Sequence, residues 1–289
     1  MLIRPLNHPA DVPALLDLFE RCRSDDGQPP LSEHKYASLT GERLSGAGFV
    51  VEDDGSTVGY LHLLESQRSG TYELEIAVAS AKSDFIEGRL VEVALEHVRG
   101  LRGNEVHAWV YQGGSSRSLE SLGFDRVRTL HQLRVQLPVE RSPIPPGVAF
   151  TEFDQADEEA FLDLNNRAFR GHLDAGNWST EDLHERQAYE WFDPAGVRIV
   201  WEGSRLVAVC WTKQHPGGFG EIYLIASDPD RRGSGFGRAA ALEGLRFLSE
   251  AGSSVGMLYV DASNDGAHRL YEQLGFEKHH TDLAYGLKL

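Results

Sequence analysis

The chain has 289 residues, 28 Lys and Arg against 44 Asp and Glu, a formal net charge of −16 and 41% hydrophobic residues. At about 150 residues per domain this suffices for two packed cores. The longest run without Asp, Glu, Lys or Arg, Val106 to Ser116, falls far short of the roughly 20 apolar residues of a membrane helix, and the acidic balance excludes a general nucleic-acid binder. An acidic protein suits a cationic small molecule such as an amine. The first residues, Met1 to Pro9, lack the apolar stretch of a secretory signal. Cys22 and Cys210 lie in different halves without ligand spacing, which argues for a cytoplasmic protein and against a disulfide framework or zinc site. The pair His279-His280 has no carboxylate or Cys at ligand spacing, so no metal is expected.

In chain order the first half reads strand, helix, helix, three strands, helix, strand, helix, strand. Its recognisable segments are Glu73-Leu-Glu-Ile-Ala-Val-Ala79, Ala81-Lys-Ser-Asp-Phe-Ile-Glu-Gly88 and Leu119-Glu-Ser-Leu-Gly-Phe124. A proline-rich stretch, Glu140-Arg-Ser-Pro-Ile-Pro-Pro-Gly147, then interrupts regular structure and reads as a linker. The second half repeats the same order. Strands are expected near 148–153, 197–202, 205–215, 220–227, 254–260 and 277–287, and helices near 157–170, 180–191, 235–251 and 265–274. Ser179-Thr180 ahead of Glu181-Asp182 marks a helix start, and Gly203-Ser204 between two apolar runs marks a hairpin. Glu221-Ile-Tyr-Leu-Ile-Ala-Ser227 pairs with Glu73–Ala79, and Tyr271-Glu-Gln-Leu-Gly-Phe276 with Leu119–Phe124.

The strongest local signal is Arg231-Arg232-Gly233-Ser234-Gly235-Phe236-Gly237-Arg238. It follows an apolar strand and opens a helix with apolar residues at Ala241, Leu242, Leu245 and Leu248. Glycines let a backbone approach an anion, successive N–H groups point at it, and the helix dipole adds attraction. Arginines add charge and forked donors, so a pyrophosphate is the expected ligand. The glycines come too late in the half for a dinucleotide-binding βαβ unit, and no G-x-x-x-x-G-K-[ST] is present.

The order strand, Arg-x-x-Gly-x-Gly, helix, strand, Asn264, helix with Tyr271, then Leu274-Gly275-Phe276 resembles the GNAT acetyltransferase superfamily. The resemblance covers both halves. It implies an α/β (α+β) fold of two tandem GNAT acyl-CoA N-acyltransferase domains, each a mixed, mostly antiparallel sheet flanked by helices. Their expected bounds are 1–141, with a degenerate cofactor loop, and 148–289, the catalytic domain. In that family the strand before the loop splays from its neighbour and its free backbone groups bind the pantetheine of acetyl-CoA. The loop holds the pyrophosphate. Acetyl-CoA, as acetyl donor, is thereby expected at Ile225, Ala226 and Ser227, at Arg232, Gly233, Ser234, Gly235, Phe236, Gly237 and Arg238, and at Asn264, Asp265, Gly266, Ala267, His268 and Arg269. In the first half, Phe85 and Glu87 stand where the second has Gly235 and Gly237, Leu119 stands for Tyr271 and Gln112 for Asn264. A bulky ring blocks backbone approach and a carboxylate repels pyrophosphate, so one acetyl-CoA per chain is expected.

The second half also resembles the mycothiol synthases, tandem GNAT enzymes with a degenerate first domain. The resembling stretches are Asn165–His172, Glu190–Pro194, Trp211–Pro216, Gly220–Tyr223, Leu258–Val260 and Tyr271–Phe276, with Asp26-Gly27 and Glu33 in the first half. The resemblance implies acetyl transfer to the cysteinyl amine of 1D-myo-inositol 2-(L-cysteinylamino)-2-deoxy-α-D-glucopyranoside. An ammonium must lose a proton before it attacks, a thioester oxygen needs an N–H donor, and a departing thiolate benefits from an acid. Glu221 is the candidate base, directly or through water, Tyr271 the candidate acid, and a backbone N–H near Ile225 the oxyanion donor. Glu33, Asp174, Lys213, Glu221 and Tyr259 match substrate-contacting positions, with Asp174 standing where Glu is usual. A strand Glu taken alone is a solvated surface carboxylate, and a Tyr on a packed helix is ordinary core. The acceptor stays open between this substrate and another small amine or peptide N-terminus, as does a non-catalytic acetyl-CoA-binding module. A monomer is expected.

Overall fold

The computed structural model describes residues 1–22, 30–66, 69–79, 83–111, 116–140, 143–170 and 176–289. Asp26, Gly27, Ala81, Lys82, Gln112, Gly171, His172 and Asp174 lie outside the described residues. In chain order the elements are β1 (Leu2–Pro5), α1 (Val12–Cys22), α2 (Glu33–Thr40), β2 (Ala47–Asp53), β3 (Ser56–Glu65), β4 (Thr71–Val78), α3 (Ser83–Gly100), β5 (Glu105–Val110), α4 (Arg117–Ser121) and β6 (Asp125–Gln136). There follow β7 (Val148–Glu152), α5 (Glu158–Ala168), α6 (Thr180–Gln187), β8 (Val197–Glu202), β9 (Arg205–His215), β10 (Phe219–Ser227), α7 (Phe236–Glu250), β11 (Val255–Asp261), α8 (Asp265–Gln273) and β12 (Glu277–Lys288). No helix among the described residues is long and apolar enough to cross a membrane.

Two compact units form. The first contains Met1–Leu130 and His280–Leu289, the second His131–His279. These bounds differ from the expected 1–141 and 148–289, for a reason that lies in long-range pairing. β12 joins the first unit, where Leu283–Lys288 run antiparallel to Val110–Glu105 of β5. The second unit is completed instead by the end of β6, which lies beside β11. A period-2 apolar pattern says that a strand is half-buried, not which strand it joins.

The first sheet runs β1-β2-β3-β4-β5-β12, and α3 buries Ile86, Leu90, Val91, Ala94, Leu95 and Val98 on one face of it. The second runs β6-β11-β10-β9-β8-β7. Its central β9 is apolar without alternation, Leu206 to Trp211, because both of its faces are covered. On one face lies α7, through Ala240, Ala241, Leu245 and Leu248. On the other lie Phe161, Leu164, Trp178 and Leu183 from α5, α6 and the segment between them. A Cβ on Gly244 would stand 2.3 Å from Cys210 Sγ, so only glycine allows α7 this close to β9. The N-terminus of α6 is fixed by a capping box: Ser179 Oγ accepts from the Asp182 N–H, and the Asp182 carboxylate accepts from the Ser179 N–H.

Candidate active site

β10 pairs with β9 along its whole length, Phe219–His215 to Ser227–Ala208, with a register shift between Ile222 and Leu224. On its other side it pairs with β11 in parallel only at Phe219, Gly220 and Glu221, opposite Val255, Gly256 and Met257. Among the described residues the β10–β11 register ends there. From Ile222 to Ser227 the side of β10 toward β11 lies outside that register. An extended ligand carrying amides can pair with a strand edge as an added strand would. The shift at Tyr223 also reassigns faces: Ile222 packs toward α7, whereas Leu224 and Ala226 pack toward α5.

Beyond β10 the chain turns through Asp228, whose carboxylate accepts from the Asp230 N–H and starts a short 3-10 turn. Asp228 is 1% exposed and is held by Arg167 at 2.9 Å and Arg205 at 2.5 Å. Arg232, Gly233 and Ser234 are exposed. Gly233 and Gly235 have φ of +81° and +82°, the left-handed region that favours glycine. Gly237 is not left-handed; it sits in the first turn of α7, where a Cβ would meet Ser227 Oγ at 3.5 Å. Gly235 is the N-cap of α7 and brings no side chain, and the first turn contains no acidic residue. The leading N–H groups of a helix have no intrahelical acceptor and carry the positive end of its dipole. This end of α7 is thus shaped for an anion. Phe236 is 4% exposed, so its side chain is core and only its backbone is available. Arg231 pairs with Glu202 and stacks on Phe236, 5.4 Å from the ring centroid, and Arg238 donates to Gln273 at 3.3 Å.

At the start of α8, Asn264 Oδ1 accepts from the Ala267 N–H at 3.1 Å, so that side chain caps the helix. Asp265, Gly266 and Arg269 are exposed, Ala267 leans on the core, and His268 meets His131 edge-on at 5.2 Å.

Glu221 is the last residue of β10 in register with β11, on the β10 face opposite α7. Its Cα partner on β9 is Lys213. His215 Nε2 lies 2.6 Å from Glu221 Oε2, with the two side chains 7% and 13% exposed. Lys213 Nζ sits 4.6 Å from the Trp191 ring centroid, and Trp191 packs on Tyr223 at 4.9 Å. Ile225 lies beyond the β10–β11 register and pairs with Cys210 of β9. Tyr271 is 4% exposed, in the core beside Phe276 at 5.6 Å. Burial, with Cys210 nearby, raises its phenol above the ordinary value, so it keeps its proton at neutral pH and can donate it. Tyr259, 39% exposed, accepts a hydrogen bond from Gln132 Nε2 at 2.8 Å. Glu33 is the first residue of α2 in the first unit. Sequence reading omitted His215 as a partner of Glu221. The signal was present: alternation along the β9–β10 hairpin puts Lys213, His215 and Glu221 on one face.

A family model described as Acetyltransferase (GNAT) family matches residues 158–276. A GCN5-related N-acetyltransferase from Sphaerobacter thermophilus superposes with a TM-score of 0.79 at 22% identity, covering 99% of this chain and 95% of that one. A tandem GNAT protein from the clavulanic acid biosynthesis pathway gives 0.74 at 15% identity, covering 99% and 98%. The fold is thus that of two tandem GNAT-type units. A mycothiol acetyltransferase of Acidimicrobium ferrooxidans is 38% identical over 290 residues, 94% of this chain and 92% of that one. The chain belongs to the mycothiol acetyltransferase family.

Proposed function

We propose that the second unit transfers the acetyl group of acetyl-CoA to the cysteinyl amine of 1D-myo-inositol 2-(L-cysteinylamino)-2-deoxy-α-D-glucopyranoside, giving mycothiol. The observation that carries this reading is that Glu221, a carboxylate, stands where the β10–β11 register ends, on a strand that runs on toward a glycine-bearing helix N-terminus. Membership of the mycothiol acetyltransferase family supports this choice of acceptor.

The donor supplies an electrophilic thioester carbonyl. The β10 edge from Ile222 to Ser227 would hold its pantetheine amides, and the backbone N–H groups from Gly233 to Arg238 its pyrophosphate. The exposed Arg232 would add charge there. Glu221 removes one proton from the acceptor ammonium, directly or through water, and so frees the nitrogen lone pair for attack. A backbone N–H near Ile225 donates to the carbonyl oxygen as negative charge develops on it. The Tyr271 O–H gives its proton to the departing sulfur, and the amide nitrogen sheds its second proton to restore the phenol. Lys213 and the Tyr259 hydroxyl offer donors for sugar and inositol oxygens. We further propose that the reaction runs in the cytoplasm, where Cys22 and Cys210, both free thiols, stay reduced.

The acceptor carries a thiol as well as an amine, so the test separates the two. The enzyme is incubated with acetyl-CoA and the cysteinyl acceptor, and the product is analysed by mass spectrometry and by thiol titration. A singly acetylated product that retains its thiol supports N-acetylation. An enzyme inactive on this acceptor but active on another amine contradicts the assignment while leaving acetyl transfer intact.

A further inference from the structure

The proposed mechanism uses Glu221 but not the imidazole beside it. A carboxylate can only accept hydrogen bonds, and His215 Nε2 lies 2.6 Å from Glu221 Oε2. That nitrogen must therefore carry the proton, which fixes which ring nitrogen is the donor. The distance is at the short end for a donor on an ionised acceptor. At 7% and 13% exposure, little water competes for either side chain.

The backbone explains why this imidazole can hold its place. His215 is the last residue of β9 and the N-cap of the Pro216–Gly218 turn, and its Cα partner across the hairpin is Phe219. Glu221 lies two residues further along the same face of β10. The ring thus reaches Glu221 diagonally from a strand end whose φ and ψ are set by pairing on one side and by Pro216 on the other. Lys213, directly opposite Glu221, is turned onto the Trp191 ring.

We propose that His215 is a positioning residue for acetyl transfer: its Nε2–H fixes the Glu221 carboxylate through Oε2 and leaves Oε1 directed to the acceptor ammonium. The inference rests on Glu221 being the base. In the step itself one proton passes from the ammonium nitrogen to Oε1, while the His215 N–H bond stays intact. His215 needs no change of its own proton count.

The test is steady-state kinetics of acetyl transfer for His215→Phe, which keeps a ring and removes the donor, and His215→Gln, which keeps an N–H at similar reach. Both are measured alone and combined with Glu221→Gln. His215→Phe is expected to lower kcat roughly 10- to 100-fold, the loss typical of a hydrogen bond to a charged group, with KM for acetyl-CoA unchanged. His215→Gln should recover most of the lost rate. In the Glu221→Gln background, His215→Phe should cause no further loss. Equal loss in the Phe and Gln variants, full activity of His215→Phe, or a further loss in the double variant overturns the inference. Wild-type kcat for Glu221→Gln alone instead overturns the base assignment on which it rests, so the two failures are separable.

Discussion

Lys35 Nζ lies 2.9 Å from Glu75 Oε1, and the two side chains are 0% and 2% exposed. Glu75 also accepts from the Ser32 N–H at 2.6 Å and from the Tyr111 hydroxyl at 3.2 Å, and Glu73 stands 3.6 Å from the same ammonium. These carboxylates sit on β4, the repeat of β10, with Glu73 in the place of Glu221. In the first unit, the position of the proposed base thus faces a cation supplied by the chain itself. Removing one member leaves a buried charge uncompensated, which costs about 3–5 kcal/mol. Lys35→Met is expected to lower the denaturant midpoint clearly, and Lys35→Met with Glu75→Leu to recover part of it. Chemical denaturation followed by far-ultraviolet circular dichroism measures both.

Asp228 sets the exit of β10 and gives the fold an acid-sensitive point. Burial alone would raise its carboxyl, but the hydrogen bond and charge of Arg167, together with Arg205, outweigh burial and hold it below the usual range. A depressed folded pKa stabilises fully above the unfolded value of about 3.9 and loses that contribution as pH falls through the folded one. Asp228→Asn should lose about 1–3 kcal/mol near neutrality and show a flatter decline of stability below pH 4. A melting series across pH checks the slope, and parallel curves for the two proteins contradict it.

The glycine loop predicts one acetyl-CoA per chain. Gly235→Glu puts a side chain and a negative charge at the N-terminus of α7, and the left-handed φ of +82° adds strain of roughly 1–2 kcal/mol. Isothermal titration should give one site for wild type and none for the variant, while circular dichroism stays native-like. Unchanged affinity, or two equally tight sites in the wild type, contradicts the loop assignment.

Tyr271→Phe removes one hydroxyl from a buried ring and little packing. Loss of a general acid typically costs about 10²–10⁴-fold. The expected result is a lower kcat with acetyl-CoA binding preserved. Wild-type turnover would make Tyr271 a core residue only, as Leu119 is in the first unit at 3% exposure.

Much of the second unit is legible because its signals are local. Strands expected at 197–202 and 205–215 occur at those bounds, joined by Gly203-Ser204 with φ of +62° at Gly203. The helix expected at 180–191 stops at Gln187. Tyr189 and Trp191 stack on each other at 5.7 Å, and Trp191 also packs on Tyr223, so aromatic packing overrides helical continuation. The destination of β12 was not legible, since it depends on which partner offers an edge. The φ demands at Gly233 and Gly235 could be read from the motif and the shared face of His215 and Glu221 from the hairpin alternation, whereas the Asp228 ion pairs join residues from separate segments and emerge only in three dimensions. Asn264 stood out as a site residue, yet its side-chain oxygen caps α8, a role that the Asn-x-x-Ala spacing would also have suggested.

The most direct measurement of the account is kcat for acetyl transfer by Glu221→Gln against wild type from neutral to alkaline pH. Gln keeps the shape and hydrogen bonding of the side chain but cannot take a proton. The account predicts a loss of about 10²–10⁴-fold near neutrality, which shrinks as rising pH supplies free amine from solution. A variant as active as wild type throughout that range would contradict it and show that Glu221 only shapes the site.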